Sequence, residues 1–198
     1  EQVITSNNAL VAATLFYTAD LDGDNDNDII VGNKSYSKIL WIKNNGNGTY
    51  GAPVTISTLA NGITSIATSD IDNDGDMDIV SASTYDNEVV WYKNLDGLGT
   101  FSDENVIISN ATASNVVMVA NINADNTNDI IYTSTNEIGW MSNDGLGNFG
   151  PQQVITNKAY GVRSVIMADI DGDGINDLLS ASEEDDKVAW YKHDGNGN

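Results

Sequence analysis

Apolar residues along this chain come in short runs rich in valine, isoleucine and threonine, each closed by a cluster of glycine, asparagine or aspartate. Between residues 64 and 109 four such runs follow one another: TSIATSD (64–70), DIVSAS (78–83), EVVWYKN (88–94) and NVIIS (105–109). Short β-branched runs bounded by turn formers predict strands. No stretch sustains the 3.6-residue periodicity that a helical solenoid needs.

The pattern repeats. DLDGDNDNDII from Asp20 returns as DIDNDGDMDIV from Asp70, NINADNTNDII from Asn121 and DIDGDGINDLL from Asp169, at steps of 50, 51 and 48 residues. Trp41, Trp91, Trp140 and Trp190 keep the same beat, each inside an apolar run (KILWIKN, EVVWYKN, EIGWMSN, KVAWYKH). A glycine-rich turn ending in an aromatic follows three of them (NNGNGTY, NLDGLGTF, NDGLGNF), and HDGNGN follows the fourth. Four repeats of four short strands predict an all-β fold, a β-propeller of four four-stranded blades forming a single domain over residues 1–198. QVITS (2–6) matches the last strand of a blade, as do PVTIS (53–57), NVIIS (105–109) and QVITN (153–157), while the fourth repeat has no such strand after its tryptophan. A ring closed by pairing QVITS with the fourth blade is therefore the first expectation. Four blades of a larger propeller would show the same phase.

Five aspartates stand within nine positions of the first loop, and like charges this close repel unless a cation lies between them. Counting from the first acid, positions 1, 3, 5 and 9 are Asp20, Asp22, Asp24 and Asp28; Asp70, Asp72, Asp74 and Asp78; and Asp169, Asp171, Asp173 and Asp177. Oxygen ligands at alternate positions of a tight loop suit Ca²⁺, which takes about 6–8 oxygens, better than the stricter octahedron of Mg²⁺. Position 7, read as Asp26, Met77 and Ile175, varies freely, as expected if only a backbone carbonyl is used there. Asn25, Gly75 and Gly174 at position 6 all tolerate a left-handed backbone.

The DxDxDGxxD pattern between short strands, repeated about every 50 residues with a later aromatic and glycine turn, resembles the FG-GAP or VCBS repeat family, the class of the calcium-binding blades of integrin alpha chains. The resemblance covers essentially the whole chain. It implies Ca²⁺ in the loop between the first and second strands of each blade, in a secreted or cell-surface protein. Repeat three departs: Asn121, Asn123, Asp125, Thr127 and Asp129 keep the spacing with two carboxylates, so three strong sites and one weak or empty site are expected.

Charge narrows the partners. With 29 acidic and 8 basic residues the formal charge is -21, which disfavours nucleic acid and anionic membrane surfaces. Four Ca²⁺ would bring it to -13 by adding 8. No apolar run reaches the roughly 18 residues that span a bilayer, so membrane insertion is not expected. The N-terminal EQVITSNNAL has no signal-peptide character, and with no cysteine the sequence offers no disulfide that would report the compartment. The tryptophans could stack on sugars, but their recurrence at one strand position among apolar neighbours favours packing between blades. Tyr36 and Tyr85, between second and third strands, and Tyr160, before a first strand, are the candidate ligand-binding aromatics, on the face opposite the acidic loops. His193, the only histidine, has no accompanying nucleophile motif and reads as a turn residue. Asn47-Gly48-Thr49 and Asn110-Ala111-Thr112 match the N-glycosylation sequon. The function expected is a non-catalytic, extracellular, calcium-binding module for adhesion to a glycan or a protein. An architectural spacer of a larger surface protein and a polysaccharide-active enzyme are the alternatives.

Overall fold

The computed structural model describes residues 3, 4, 10 and 13–197, and among them every regular element of any length is a strand. Strands β1 (Leu15–Ala19), β2 (Asp28–Asn33), β3 (Lys38–Ile42) and β4 (Val54–Ser57) form blade one. Blade two is β5 (Ile63–Ser69), β6 (Asp78–Ser83), β7 (Glu88–Tyr92) and β8 (Asn105–Ile108). Blade three is β9 (Val117–Ala120), β10 (Asp129–Thr133), β11 (Ile138–Met141) and β12 (Gln153–Thr156). Blade four is β13 (Val162–Ala168), β14 (Asp177–Ser182) and β15 (Lys187–Tyr191), three strands among the described residues. Every blade is antiparallel and runs in chain order, so the four runs read from residues 64 to 109 are β5 to β8 within a residue or two.

The inner strands meet at a common axis. Tyr17, Ala67, Met118 and Ile166 hold the same position in β1, β5, β9 and β13, and all four line one cavity of about 410 Å³. In blades two and three the second and third strands are covered on both sides by neighbouring blades, which is why DIVSAS is buried at every position. Fourth strands lie at the rim, and their Val54, Val106 and Val154 face solvent. The core is thus a series of joints between blades. Leu21, Ile30, Ile39 and Trp41 of blade one pack on Ile79, Val90 and Tyr92 of blade two. Val80, Val89 and Trp91 of blade two meet Ile130, Tyr132 and Met141 of blade three, and Ile131, Ile138 and Trp140 of blade three meet Val162, Val165 and Leu178 of blade four.

Two devices set each joint. Gly99, Gly147 and Gly197, in the glycine-rich turns, lie against the rings of Trp41, Trp91 and Trp140 of the preceding blade so closely that a Cβ would collide with the indole. Asn94 and Asn143 donate their amide N–H to the carbonyls of Leu21 and Ile71 of the preceding blade, at 2.8 and 2.7 Å. The tryptophans of blades one to three are packing residues, as their strand position suggested. Trp190 differs, being 48% exposed. The expected pairing of residues 2–6 with blade four lies outside the described residues except for Val3 and Ile4, which are both exposed.

Candidate metal centre

Each acidic loop folds on its own carboxylates before any partner is considered. The first aspartate closes the loop on itself: Asp20 accepts the N–H groups of Asp24 and Asn25, Asp70 those of Asp74 and Gly75, and Asp169 those of Gly172 and Gly174, at 2.7–3.2 Å. These tight turns need left-handed backbone at position 6, where Asn25 (φ 69°), Gly75 (97°), Asn126 (67°) and Gly174 (86°) supply it. The ninth-position aspartates Asp28, Asp78, Asp129 and Asp177 are fully buried. Each spends one oxygen on the N–H of position 2 and the other on the N–H just past the third strand: Asp78 accepts Ile71 at 3.1 Å and Asn94 at 2.7 Å, and Asp129 accepts Ile122 and Asn143, both at 2.9 Å. This fastening recurs in all four blades, including the one with an impoverished loop, so the ninth aspartate is an architectural residue whatever else it binds.

Three loops bring carboxylates together. Asp20, Asp22 and Asp28 each present an oxygen within 4.8 Å of the others, and Asp70, Asp72, Asp78 and Asp169, Asp171, Asp177 do the same. No such group forms in the third loop among the described residues. There Asn123 donates to Asp125 at 2.8 Å, and the Thr127 hydroxyl turns to the Asn143 carbonyl at 2.6 Å, so the loop satisfies itself. The fifth aspartates Asp24, Asp74 and Asp173 accept the N–H of position 7 at 2.9–3.0 Å and sit outside the carboxylate triads. One assignment needs correction. Counting from Asp70, position 7 is Asp76, and Met77 is position 8; the Met77 side chain packs against the first joint and its carbonyl takes a 3.3 Å bond from Asn94. Asp26, Thr127 and Ile175 do occupy position 7.

A residue type not singled out in the sequence completes these loops. Lys43, Lys93 and Lys192, two positions after the blade tryptophan, reach back to pair with the third and fifth aspartates: Asp22 and Asp24, Asp72 and Asp74, Asp171 and Asp173. The signal was present, because repeat three carries Ser142 where the others have lysine, and it is the repeat with asparagine at positions 1 and 3. Lysine and loop charge vary together. Even so the third aspartates are incompletely partnered: Asp22 Oδ1 and Asp72 Oδ1 are buried with no hydrogen-bond donor, a costly arrangement for a carboxylate.

Ionisation follows these contacts. The N–H of Asp26, then the Lys43 ammonium, hold Asp24 below the usual carboxylate range, and the N–H of Ile175 and Lys192 do so for Asp173. For Asp74 burial pulls upward, but Lys93 and the Asp76 N–H outweigh it. Burial raises Asp28 and Asp129 and pushes Asp78 up to about 6, whereas the His193 N–H lowers Asp177 in the more open fourth blade. A carboxylate held above its ordinary range by desolvation, beside two others and an unsatisfied oxygen, is a place where a divalent cation relieves several costs at once.

The candidate ligand aromatics are exposed and belong to the opposite face. Tyr36 lies in the β2–β3 turn and Tyr85 in the β6–β7 turn, where the Lys34 ammonium of the adjacent blade stands 5.4 Å from its ring centre. Tyr160 precedes β13, its N–H directed at Asp185 at 3.4 Å. Lys34 therefore ties Tyr85 to blade one, and Tyr160 stands on blade four.

A family model for the FG-GAP-like repeat matches residues 20–81, 70–132 and 121–180, and the chain belongs to that family. No curated protein matches it in sequence. Among solved structures, a lectin of Agrocybe aegerita that recognises non-reducing terminal N-acetylglucosamine is similar over 95% of this chain and 51% of its own, at 23% identity and a TM-score of 0.67. The Tc holotoxin pore of Photorhabdus luminescens is similar over 88% of this chain and 9% of its own, at 18% identity and a TM-score of 0.53. These likenesses support the bladed fold. The chain spans about half the length of the lectin.

Proposed function

We propose that the chain is a non-catalytic, calcium-stabilised propeller module that works outside the cell and binds a glycan or a protein. The observation that carries the reading is the threefold recurrence of a carboxylate triad within 4.8 Å, at Asp20/Asp22/Asp28, Asp70/Asp72/Asp78 and Asp169/Asp171/Asp177. The buried unpartnered oxygens of Asp22 and Asp72 fit a cation of the hard, oxygen-loving kind. In this reading those nine aspartates hold Ca²⁺, with Asp24, Asp74 and Asp173 free to join by releasing lysine. Sites in extracellular modules bind at about 10⁻⁴–10⁻³ M, which suits the cell exterior. The lectin neighbour favours a glycan as ligand, with Tyr36, Tyr85 and Tyr160 as the stacking residues. A single histidine and acids committed to loops and caps argue against an enzyme. The exposure of Trp190 favours four blades of a larger ring over closure within one chain.

Thermal unfolding in millimolar Ca²⁺ and in EGTA, with bound metal counted by native mass spectrometry, tests the core of this reading. The expected outcome is three ions and a clear rise in Tm; no bound metal would sink it. Glycan arrays probed with and without Ca²⁺ test the ligand, and wild-type signal that survives replacement of all three tyrosines would remove them from the site.

A further inference from the structure

The joint between blades one and two carries a groove at the rim that uses neither the aspartate triads nor the three tyrosines. It encloses about 440 Å³, with β4 and the chain just after it on one side and the start of β8 on the other. Leu59 (65% exposed) and Val106 (48% exposed) give it apolar walls open to solvent. Asp103 and Glu104 supply two adjacent carboxylates, and among the described residues no cationic side chain lines the groove. Glu104 is held in place without being neutralised. Its Oε1 accepts the Ser57 hydroxyl from blade one and the buried Tyr92 hydroxyl from blade two, each at 2.9 Å. Burial pushes the Tyr92 phenol up, so it stays a donor. These two bonds leave Oε2 without a donor among the described residues.

The joint between blades two and three gives an internal comparison. Ladder register aligns Ser57 with Ile108, and Tyr92, next to its tryptophan, corresponds to Met141. By the same register Asp103, Glu104 and Leu59 correspond to Pro151, Gln152 and Asn110. There Gln152 donates to Asn110 across the joint at 3.0 Å, so the two blades satisfy each other. Leu59 has no group to make that bond. At the first joint a hydroxyl thus stands where an isoleucine packs in the second, and a carboxylate where an amide does, a change that packing alone does not explain.

We infer that this groove binds an arginine side chain presented by a partner protein, with the guanidinium on Glu104 Oε2 and Asp103 and the methylene stem along Leu59 and Val106. Arginine suits the site because its planar fork meets carboxylates with several donors at once, while its stem covers apolar surface. The formal charge of -21 adds attraction over distance for a basic partner. A sugar fits less well, because Tyr92, the aromatic ring among the lining residues, is buried and offers no face for stacking. The inference stands apart from the calcium and tyrosine readings, which their own tests decide.

Titration of the isotopically labelled chain with N-acetyl-arginine amide in millimolar Ca²⁺, followed by NMR chemical-shift mapping, tests the site, with N-acetyl-citrulline amide as the neutral isostere. The arginine probe is expected to shift the amides of Leu59, Glu104 and Val106. Binding is expected to be about tenfold weaker for citrulline and for Glu104→Gln, whose side-chain oxygen still accepts the Ser57 and Tyr92 hydroxyls. Leu59→Ser, at an exposed wall, is expected to weaken it about fivefold. Equal binding of the citrulline probe, or shifts spread over the acidic loops and unchanged in Glu104→Gln, would reduce the effect to general charge attraction and overturn the site. Groove shifts with N-acetylglucosamine but not with the arginine probe would make it a sugar site, and no groove shift with either probe would leave it without a ligand of either class; both results overturn the inference.

Discussion

At the scale of single residues, the acidic loops hold two kinds of aspartate that look alike in sequence. The ninth-position residues spend both oxygens on backbone N–H groups and knit the loop to the third strand. The third-position residues Asp22 and Asp72 keep one buried oxygen without a donor and lend the other to lysine. In the calcium reading proposed above, lysine and the cation would therefore compete for the same carboxylate. Lys93→Met removes the competitor, and a calcium titration of Tm is expected to show half-saturation at lower Ca²⁺ than wild type. In EGTA the same variant is expected to be less stable by about 1–3 kcal/mol, because Asp72 loses the ammonium it pairs with. In contrast, Asp125→Ala lies in the self-satisfied third loop and is expected to leave the count of bound ions unchanged in native mass spectrometry.

At the scale of elements, stability resides in the joints between blades, since no blade buries its own faces. Asn143 crosses one joint to the Ile71 carbonyl, and its replacement by alanine leaves that buried acceptor without this donor; a loss of about 1–3 kcal/mol in chemical denaturation, with calcium binding intact, is expected. Two glycines, one in an acidic loop and one in a glycine-rich turn, separate two costs that are usually mixed. Gly75 (φ 97°) has open space where a Cβ would go, whereas Gly147 (φ 77°) lies against the Trp91 ring. In EGTA, Gly75→Ala should show only the left-handed backbone penalty of about 1–2 kcal/mol. Gly147→Ala should show that penalty plus about 1–3 kcal/mol of overpacking. Equal losses would mean that the indole moves aside freely.

At the scale of the whole molecule, covering decides the order of unfolding. Blade four has one neighbour among the described blades and an exposed Trp190, so its strands are the least protected of the four. Hydrogen exchange is expected to release β13 to β15 before β6 and β10. Three calcium sites, each contributing about 1.4 kcal/mol at a tenfold excess over its dissociation constant, would together add about 4 kcal/mol that EGTA removes. Calcium would also lower the formal charge from -21 to -15, by adding 6 for three ions, and reduce the repulsion among 29 acidic residues.

What the sequence determined by itself is local and periodic: strand runs bounded by turn formers, four loops in step, three of them rich in carboxylate and one depleted, and a tryptophan at one place in each repeat. These were legible because period-2 strands, Asx turns and left-handed glycine or asparagine act within a few residues of one another. The tertiary structure decided everything that depends on which blade faces which. Gly147 is simply one more turn glycine until Trp91 is placed beneath it, and Asn143 looks like a turn residue until its amide meets Ile71. The lysines read as ordinary surface charges, although their absence from repeat three hinted at the pairing. Trp190 is indistinguishable in sequence from Trp41, Trp91 and Trp140; only the presence or absence of a neighbouring blade makes one of them a surface and the other three a core.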